Sequence, residues 1–89
     1  MVNIELEPEL DACVETQAKR HYEKIQRELL KGGKGGELAE KLEILQLFLE
    51  SADFSKLRSE SEKHLLEGKR VKFILYLDKE KIQYEMKIV

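Results

Sequence analysis

The chain has 89 residues, of which 38% are charged, but acids and bases nearly cancel to a net charge of −2 at pH 7. This balance argues against a dedicated nucleic-acid binder, which is normally strongly basic, and the single cysteine excludes both an internal disulfide framework and a cysteine-rich zinc site. Because no apolar run could span a membrane and the acidic start lacks the apolar part of a secretion signal, we expect one small soluble cytoplasmic domain over residues 1–89.

The chain begins with a predicted strand followed by a long helix. Val2, Ile4 and Leu6 alternate with polar residues, which is the period of a half-buried strand. Pro8 suits the first turn of a helix. Beyond it, apolar residues recur at steps of three and four: Val14, Ala18, Tyr22, Ile25 and Leu29. These patterns predict a strand over residues 2–6 and a helix over residues 8–31.

The glycine-rich segment 32–36, GGKGG, is predicted to connect two antiparallel helices. It does not match a phosphate-binding loop, which follows a strand and has Ser or Thr after its lysine, whereas Lys34 follows a helix and precedes Gly35. The next stretch, residues 38–49, is apolar on nearly every side. We therefore expect it to form the innermost helix, with neighbours on two of its faces.

A third helix is predicted between residues 51 and 68. Ser51 or Asp53 can cap its start, and Gly68 supplies its stop. Its middle, RSESEKH, is polar, so only a narrow stripe is expected to be buried. That stripe consists of Phe54, Leu57, Ser61 and Leu65, with Leu66 at its border.

The last segment predicts an antiparallel hairpin. Folding the chain at Lys79-Glu80 aligns four apolar pairs, Val71–Ile88, Phe73–Met86, Leu75–Tyr84 and Leu77–Ile82. One register thus places both apolar sets on one face. Because the turn lacks Asn-Gly or Asp-Gly, a four-residue loop in the same register is an equally good prediction.

Together these elements predict an α+β fold in the order β-α-α-α-β-β, with a three-stranded sheet and the helices packed on one face. The first hairpin strand should be central, because Ile74 and Tyr76 make its second face apolar as well, and the last strand should be an edge. If the first strand is parallel to the central one, the helices form a right-handed crossover. Tyr84 is expected to lie buried beneath the helices.

The residues that could carry chemistry do not form a recognisable site. His64 lies four residues after Glu60, but two ligands do not make a metal site. Ordinary, partly buried histidines are the expectation for His21 and His64. No histidine lies within a helical turn of Cys13, so a Cys–His nucleophile would need the fold to supply one. We therefore expect no cofactor, no metal and no enzymatic activity, with a site assembled by the fold as the residual alternative.

The second face of the predicted sheet carries the stronger functional signal. Ile74 and Tyr76 are ringed there by Lys72, Glu85 and Lys87, a pattern typical of the apolar centre and polar rim of an interface. The alternative is an ordinary solvated face with two scattered apolar residues. The resulting hypothesis is a small non-enzymatic protein-interaction module, an adaptor or regulatory protein, that forms a homodimer through this face.

A second hypothesis is binding of RNA or single-stranded DNA. One side of the first helix carries four basic residues, Arg20, Lys24, Arg27 and Lys31. Tyr76 could stack on bases beside Lys72 and Lys87. The alternative for the basic stripe is a solvated face that complements the helix C-terminus, and the acidic net charge favours this alternative.

Overall fold

The computed structural model describes residues 2–32 and 35–89. Within them, three helices and three strands follow the order β-α-α-α-β-β, which confirms the predicted α+β fold. The elements are β1 (Asn3–Leu6), α1 (Val14–Leu30), α2 (Gly36–Ser51), α3 (Phe54–Leu66), β2 (Val71–Asp78) and β3 (Lys81–Ile88). Two residues of the predicted glycine-rich connector, 33 and 34, lie outside the described residues. No helix in the described ranges is both long enough and apolar enough to cross a membrane.

The sheet has the strand order β1-β2-β3, so β2 is central and β3 lies at an edge, as predicted. Both pairings are antiparallel. The first strand is therefore not parallel to β2, and the right-handed crossover that a parallel strand would require does not form. The apolar alternation could not decide this, because a strand of either direction presents the same alternate residues to one face. Ile4 opposite Leu75 and Leu6 opposite Phe73 keep the apolar residues together.

The hairpin has the predicted register, from Val71 opposite Ile88 to Leu77 opposite Ile82. Its turn has two residues rather than four. Lys79 and Glu80 both adopt positive φ, 51° and 67°. Such backbone angles match the right-handed twist of the flanking strands, which is why two-residue hairpins use them even though they cost non-glycine residues free energy.

Helix α1 starts at Val14, so the predicted start at residue 8 is wrong. Glu9 and Ala12 exchange two backbone hydrogen bonds of 2.9 and 3.1 Å, which makes residues 9–12 a tight turn instead of a first helical turn. Ala12 is buried by this arrangement. Cys13, with extended backbone at ψ 170°, then occupies the position before the helix. The local signals of a proline and two acids were therefore outweighed by a turn that buries an apolar residue.

Helix α2 is the innermost helix, as its composition predicts. Ile44, Leu45 and Phe48 are buried, and the helix contacts α1 on one side and all three strands on the other. The leucines at 38, 42 and 49 are half-buried against the core. The sheet contributes its own buried layer beneath α2: Ile4, Leu6, Val71, Phe73 and Leu75.

Helix α3 begins and ends at the predicted signals. The Asp53 side chain accepts a hydrogen bond of 3.2 Å from the Lys56 backbone N–H. Gly68 ends the helix with a φ of 79°, which favours glycine. Leu57 and Ser61 are buried, and the Ser61 hydroxyl donates to the Arg58 carbonyl at 3.1 Å. The buried stripe of α3 is narrow, as expected.

Tyr84 departs most from the predictions for the sheet. It lies opposite Leu75 as predicted, and its ring packs 6.0 Å from the Phe73 ring, centroid to centroid. However, it is 39% exposed, so the prediction that it is buried is wrong. The helices cover β1 and β2 but leave much of the apolar side of β3 uncovered.

Candidate interaction surface

Strand β3 presents an apolar side at an edge of the sheet. In the described part of the chain it pairs only with β2. Tyr84 and Ile88, on the helix side of the strand, are 39% and 44% exposed, and Ile82 and Met86 on the same side are half-buried. Edge strands commonly carry charges or are covered, because an exposed edge recruits other chains. We call the strand from Lys81 to Ile88, with its unpaired side, the β3 edge.

A groove adjoins the β3 edge where α2 gives way to α3. It has a volume of about 600 Å³. Its apolar lining comes from both layers of the fold: Leu47, Phe48, Ala52, Ile82 and Tyr84. Charged residues from the start of α3 and from the hairpin also line it: Asp53, Lys56, Glu80 and Lys81. We call this hollow the β3 groove.

The backbone of the β3 edge is available for hydrogen bonding. The Val89 N–H donates to the Arg70 carbonyl at 2.9 Å, which places a hydrogen-bonded pair at this end of the hairpin. Because such pairs alternate with non-hydrogen-bonded pairs in an antiparallel ladder, Lys87 and Glu85 bond to β2. The N–H and C=O groups of Met86 and Tyr84 then point away from β2. The free edge therefore combines backbone donors and acceptors with apolar side chains.

The predicted interface on the second face of the sheet is assembled but only partly exposed. Ile74 lies between Glu5 and Glu85 in the register, and Ile74 and Tyr76 are half-buried. Lys72 contacts Glu5, with 3.4 Å between its Nζ and the carboxylate oxygen. Of the five predicted partner-binding residues, the two exposed ones are Glu85 and Lys87. The face is open, yet it exposes less apolar surface than the β3 edge.

The basic stripe of α1 is exposed at all four positions, Arg20, Lys24, Arg27 and Lys31. Among the residues that the structure describes, none of the four takes part in an ion pair. The Nε of Arg27 donates to the Glu23 carbonyl at 3.4 Å. The stripe belongs to the helix layer, whereas Tyr76 lies on the opposite face of the sheet. The fold does not gather the two parts of the nucleic-acid hypothesis into one surface.

The two histidines are not brought together with further ligands. Residues 2–32 and 35–89 contain no group of three or more His, Cys, Asp or Glu side chains that could hold a metal ion. Burial lowers the pKa of His21, and Lys24 and Lys41 lower it further. The Nδ1 atom of His64 is buried, with no hydrogen-bond partner in the described part of the chain.

Cys13 lies at the N-terminal end of α1. Its Sγ is 3.3 Å from the Thr16 hydroxyl. Hydrogen bonds from the side chain and backbone of Thr16 lower the pKa of the thiol, although partial burial opposes them. Arg58 lines the same small hollow, and its positive charge makes a further, smaller contribution to the lowered pKa of the thiol. No histidine lines this hollow, which consists of described residues only.

Sequence reasoning missed the β3 groove, because it assumed that every apolar strand residue on the helix side would be covered. One signal could have indicated the groove. Helix α3 has a polar middle and a narrow apolar stripe, and such a helix buries few side chains of a neighbouring sheet. Only Leu57 and Ser61 of α3 are buried in the fold.

Comparisons with known proteins identify relatives by sequence. An uncharacterized protein of Archaeoglobus fulgidus is 51% identical over 49 residues, a match that covers 52% of this chain and 58% of the relative. The chain thus spans little more than half of that relative's length. No solved structure matches the chain. The sequence model of one protein family matches residues 1–88, and the chain therefore belongs to that family.

Proposed function

We propose that this protein is a non-enzymatic protein-interaction module, an adaptor or regulatory protein, that binds protein through the β3 edge and the β3 groove. The observation that carries the proposal is the exposure of Tyr84 and Ile88 beside an unpaired strand edge. Covering these side chains removes apolar surface from water, which is the main driving force of association. Tyrosine is also enriched among the residues that dominate interface energies.

The chemistry of the β3 edge favours a polypeptide partner. An extended segment can add a strand to an open sheet edge, so that backbone hydrogen bonds supply affinity and side-chain pockets supply specificity. Both parts are present, since Tyr84 and Met86 have outward backbone groups and the β3 groove lies beside the strand. A small polar metabolite would leave this apolar strip uncovered.

The second sheet face remains a proposed additional contact. Lys72, Ile74, Tyr76, Glu85 and Lys87 share this face, and the last two also belong to the β3 edge. A partner that pairs with β3 would extend the same face. Ile74 and Tyr76 are half-buried by their neighbours, so their contribution to binding is expected to be smaller than that of Tyr84.

Site-specific photo-crosslinking in a lysate of the protein's own cells tests the proposal. A photoreactive amino acid is placed at Tyr84, at Tyr76 and, as a control, at Lys63, which is exposed on α3. We expect protein adducts at Tyr84, fewer at Tyr76 and none above background at Lys63. Absence of adducts at both tyrosine positions, or equal yields at all three, would contradict a protein-binding role for this side of the molecule.

A second candidate, binding of RNA or single-stranded DNA, is supported by the exposure of the basic stripe without ion pairs in the described residues. Binding of a fluorescent single-stranded oligonucleotide should then weaken steeply with salt, through release of counterions. Lys24→Ala with Arg27→Ala should reduce binding, whereas Lys56→Ala on α3 should not. No binding at low salt, or binding that is insensitive to salt, eliminates this candidate.

A further inference from the structure

We infer that the β3 edge binds the β3 edge of a second copy of this chain, in an antiparallel register whose two-fold axis passes through Met86. The inference rests on the proposed function, because it names the partner of the same surface. It requires three things of β3: backbone groups free to pair, side chains that match across the axis, and apolar surface that becomes covered. The structure supplies each of them.

The backbone requirement restricts the possible registers. In a symmetric antiparallel pair, residues related by the axis must point to the same face of the sheet, because neighbouring residues alternate between the faces. The outward hydrogen-bonding groups belong to the residues on the helix side, among them Tyr84 and Met86. With Met86 on the axis, the two copies of Met86 exchange hydrogen bonds, and Tyr84 does so with Ile88 of the partner copy. The two sheets then join into one of six strands.

The charges on the outer face favour this register. With Met86 on the axis, Glu85 lies directly opposite Lys87 of the partner copy, and the reciprocal pair forms by symmetry. Shifting the axis to Glu85 places the two Glu85 carboxylates opposite each other. Shifting it to Tyr84 places Lys81 opposite Lys87. Opposite charges in such cross-strand pairs are stabilising, and like charges are destabilising.

An axis at Lys87 likewise places the two Lys87 side chains opposite each other. An axis at Gln83 is a stronger competitor, since it places Lys81 opposite Glu85 of the partner copy. That register leaves Ile88, which is 44% exposed, outside the paired segment. It also brings Lys87 of each copy against Lys79 of the other. The Met86 register instead places Tyr84 against Ile88, so the two most exposed apolar side chains within β3 cover each other. Both the charges and the apolar exposure therefore select Met86.

Sedimentation equilibrium with charge-swapped variants tests this register. Glu85→Lys and Lys87→Glu should each weaken the dimer about tenfold, because two attractive pairs become repulsive. Lys63→Glu on α3 is the control, with the same charge change as Lys87→Glu at an exposed position outside the β3 edge, and should alter the dissociation constant by less than about twofold. An equimolar mixture of the two weakened variants should form a heterodimer with wild-type affinity, because both of its pairs are then attractive.

A proline variant tests the backbone pairing independently of charge. Met86→Pro removes an N–H that points away from β2, so the hairpin keeps its hydrogen bonds, as proline at a sheet edge permits. We expect circular dichroism like that of the wild type and loss of the dimer. Should this variant unfold, the mixed charge-swapped variants decide the matter, because they leave the backbone intact.

The outcomes separate the dimer from the proposed function. A wild-type protein that stays monomeric up to millimolar concentration, or a mixture that fails to restore association, overturns the β3 pairing. A dimer that is weakened by Lys81→Glu but not by Lys87→Glu overturns the Met86 register, because the Gln83 register pairs Glu85 with Lys81 instead of Lys87. If crosslinking at Tyr84 then still yields adducts whose mass exceeds that of two chains, the protein-binding function stands with a different partner. A dimer without such heavier adducts supports the second copy.

Discussion

Strands β2 and β3 have the same length, and both place apolar residues at every second position on the helix side, but these residues have different environments. Phe73 and Leu75 of β2 are fully buried. Their cross-strand partners in β3, Met86 and Tyr84, are half-buried and 39% exposed, respectively. All four side chains are on the helix side of the sheet, so orientation is not the cause of the difference.

The difference arises from how far the helix layer extends over the sheet. Helix α2 contacts all three strands. However, the strand residues buried in its core cluster come from β1 and β2, whereas β3 contributes only the half-buried Ile82 and Met86. Helix α3 contacts β2 and buries only Leu57 and Ser61. The alternation of a strand therefore specifies which side chains face the helices, whereas the width of the helix layer decides whether they become core or binding surface.

Truncating a side chain in the buried strand β2 should destabilise the fold most. Phe73→Ala should lower the free energy of unfolding by about 3–5 kcal/mol, because it empties a fully enclosed aromatic site. Urea denaturation measures the change. Met86→Ala, at the paired position on β3, is the matched control and should cost clearly less. Equal losses would mean that β3 is as well covered as β2.

Tyr84→Ala should have a smaller effect on the fold and a larger one on association. Because the side chain is 39% exposed, we expect a loss of about 1–2 kcal/mol in unfolding free energy, below the usual range for a buried aromatic. Association should weaken by about 1–2 kcal/mol or more, as loss of an interface anchor does. Denaturation is followed with the protein dilute enough to be monomeric, alongside the association constant.

Tyr76→Ala sharpens the result at Tyr84. On the second sheet face, it should affect association less than Tyr84→Ala does. A Tyr76→Ala variant that loses more association than Tyr84→Ala would place the interface on the second face. That result would also mean that the β3 edge takes no part in association.

Substitutions in the turn that joins β2 and β3 should stabilise the fold. Lys79 and Glu80 have positive φ, which costs non-glycine residues free energy. Replacing them with Asn and Gly, the residues preferred in such two-residue turns, should raise the unfolding free energy by about 1 kcal/mol. Thermal or urea denaturation would show it. Destabilisation by the same replacement would contradict the two-residue turn and the register of β3 that depends on it.

At the opposite edge of the sheet, His21 lines a hollow of about 440 Å³ beside β1. Burial lowers the pKa of His21 in the folded state below its ordinary value of 6.5. The folded protein thus binds fewer protons than the unfolded chain, so this contribution to stability is present above about pH 6.5 and is lost as the pH falls through 6.5 towards the folded pKa.

The stability of the wild type and of His21→Gln is measured by denaturation between pH 5 and 8, about the range in which histidine titrates. The His21→Gln variant should lose this part of the pH dependence. An unchanged pH profile in His21→Gln would show that the histidine is solvated in the folded state. We expect His21→Gln to change the unfolding free energy less than any of the other substitutions.

Much of the architecture could be predicted because it follows from local periodicity. The pairing of Leu75 with Tyr84 follows from alternation around a turn, and the central place of α2 follows from a segment apolar on nearly every side. The helix stop at Gly68 has a local cause as well. The start of α1 could not be predicted, because the turn over residues 9–12 is favoured by burial of Ala12, a tertiary contact.

The type and order of the elements and the register of the hairpin thus follow from the sequence alone. Periods of two and of about 3.6 residues are properties of the chain that need no partner to be read. Tertiary packing, in contrast, sets the direction of β1, the start of α1 and the exposure of Tyr84. Each of these depends on which surfaces meet, and two sequences with the same periodicity can bring different surfaces together.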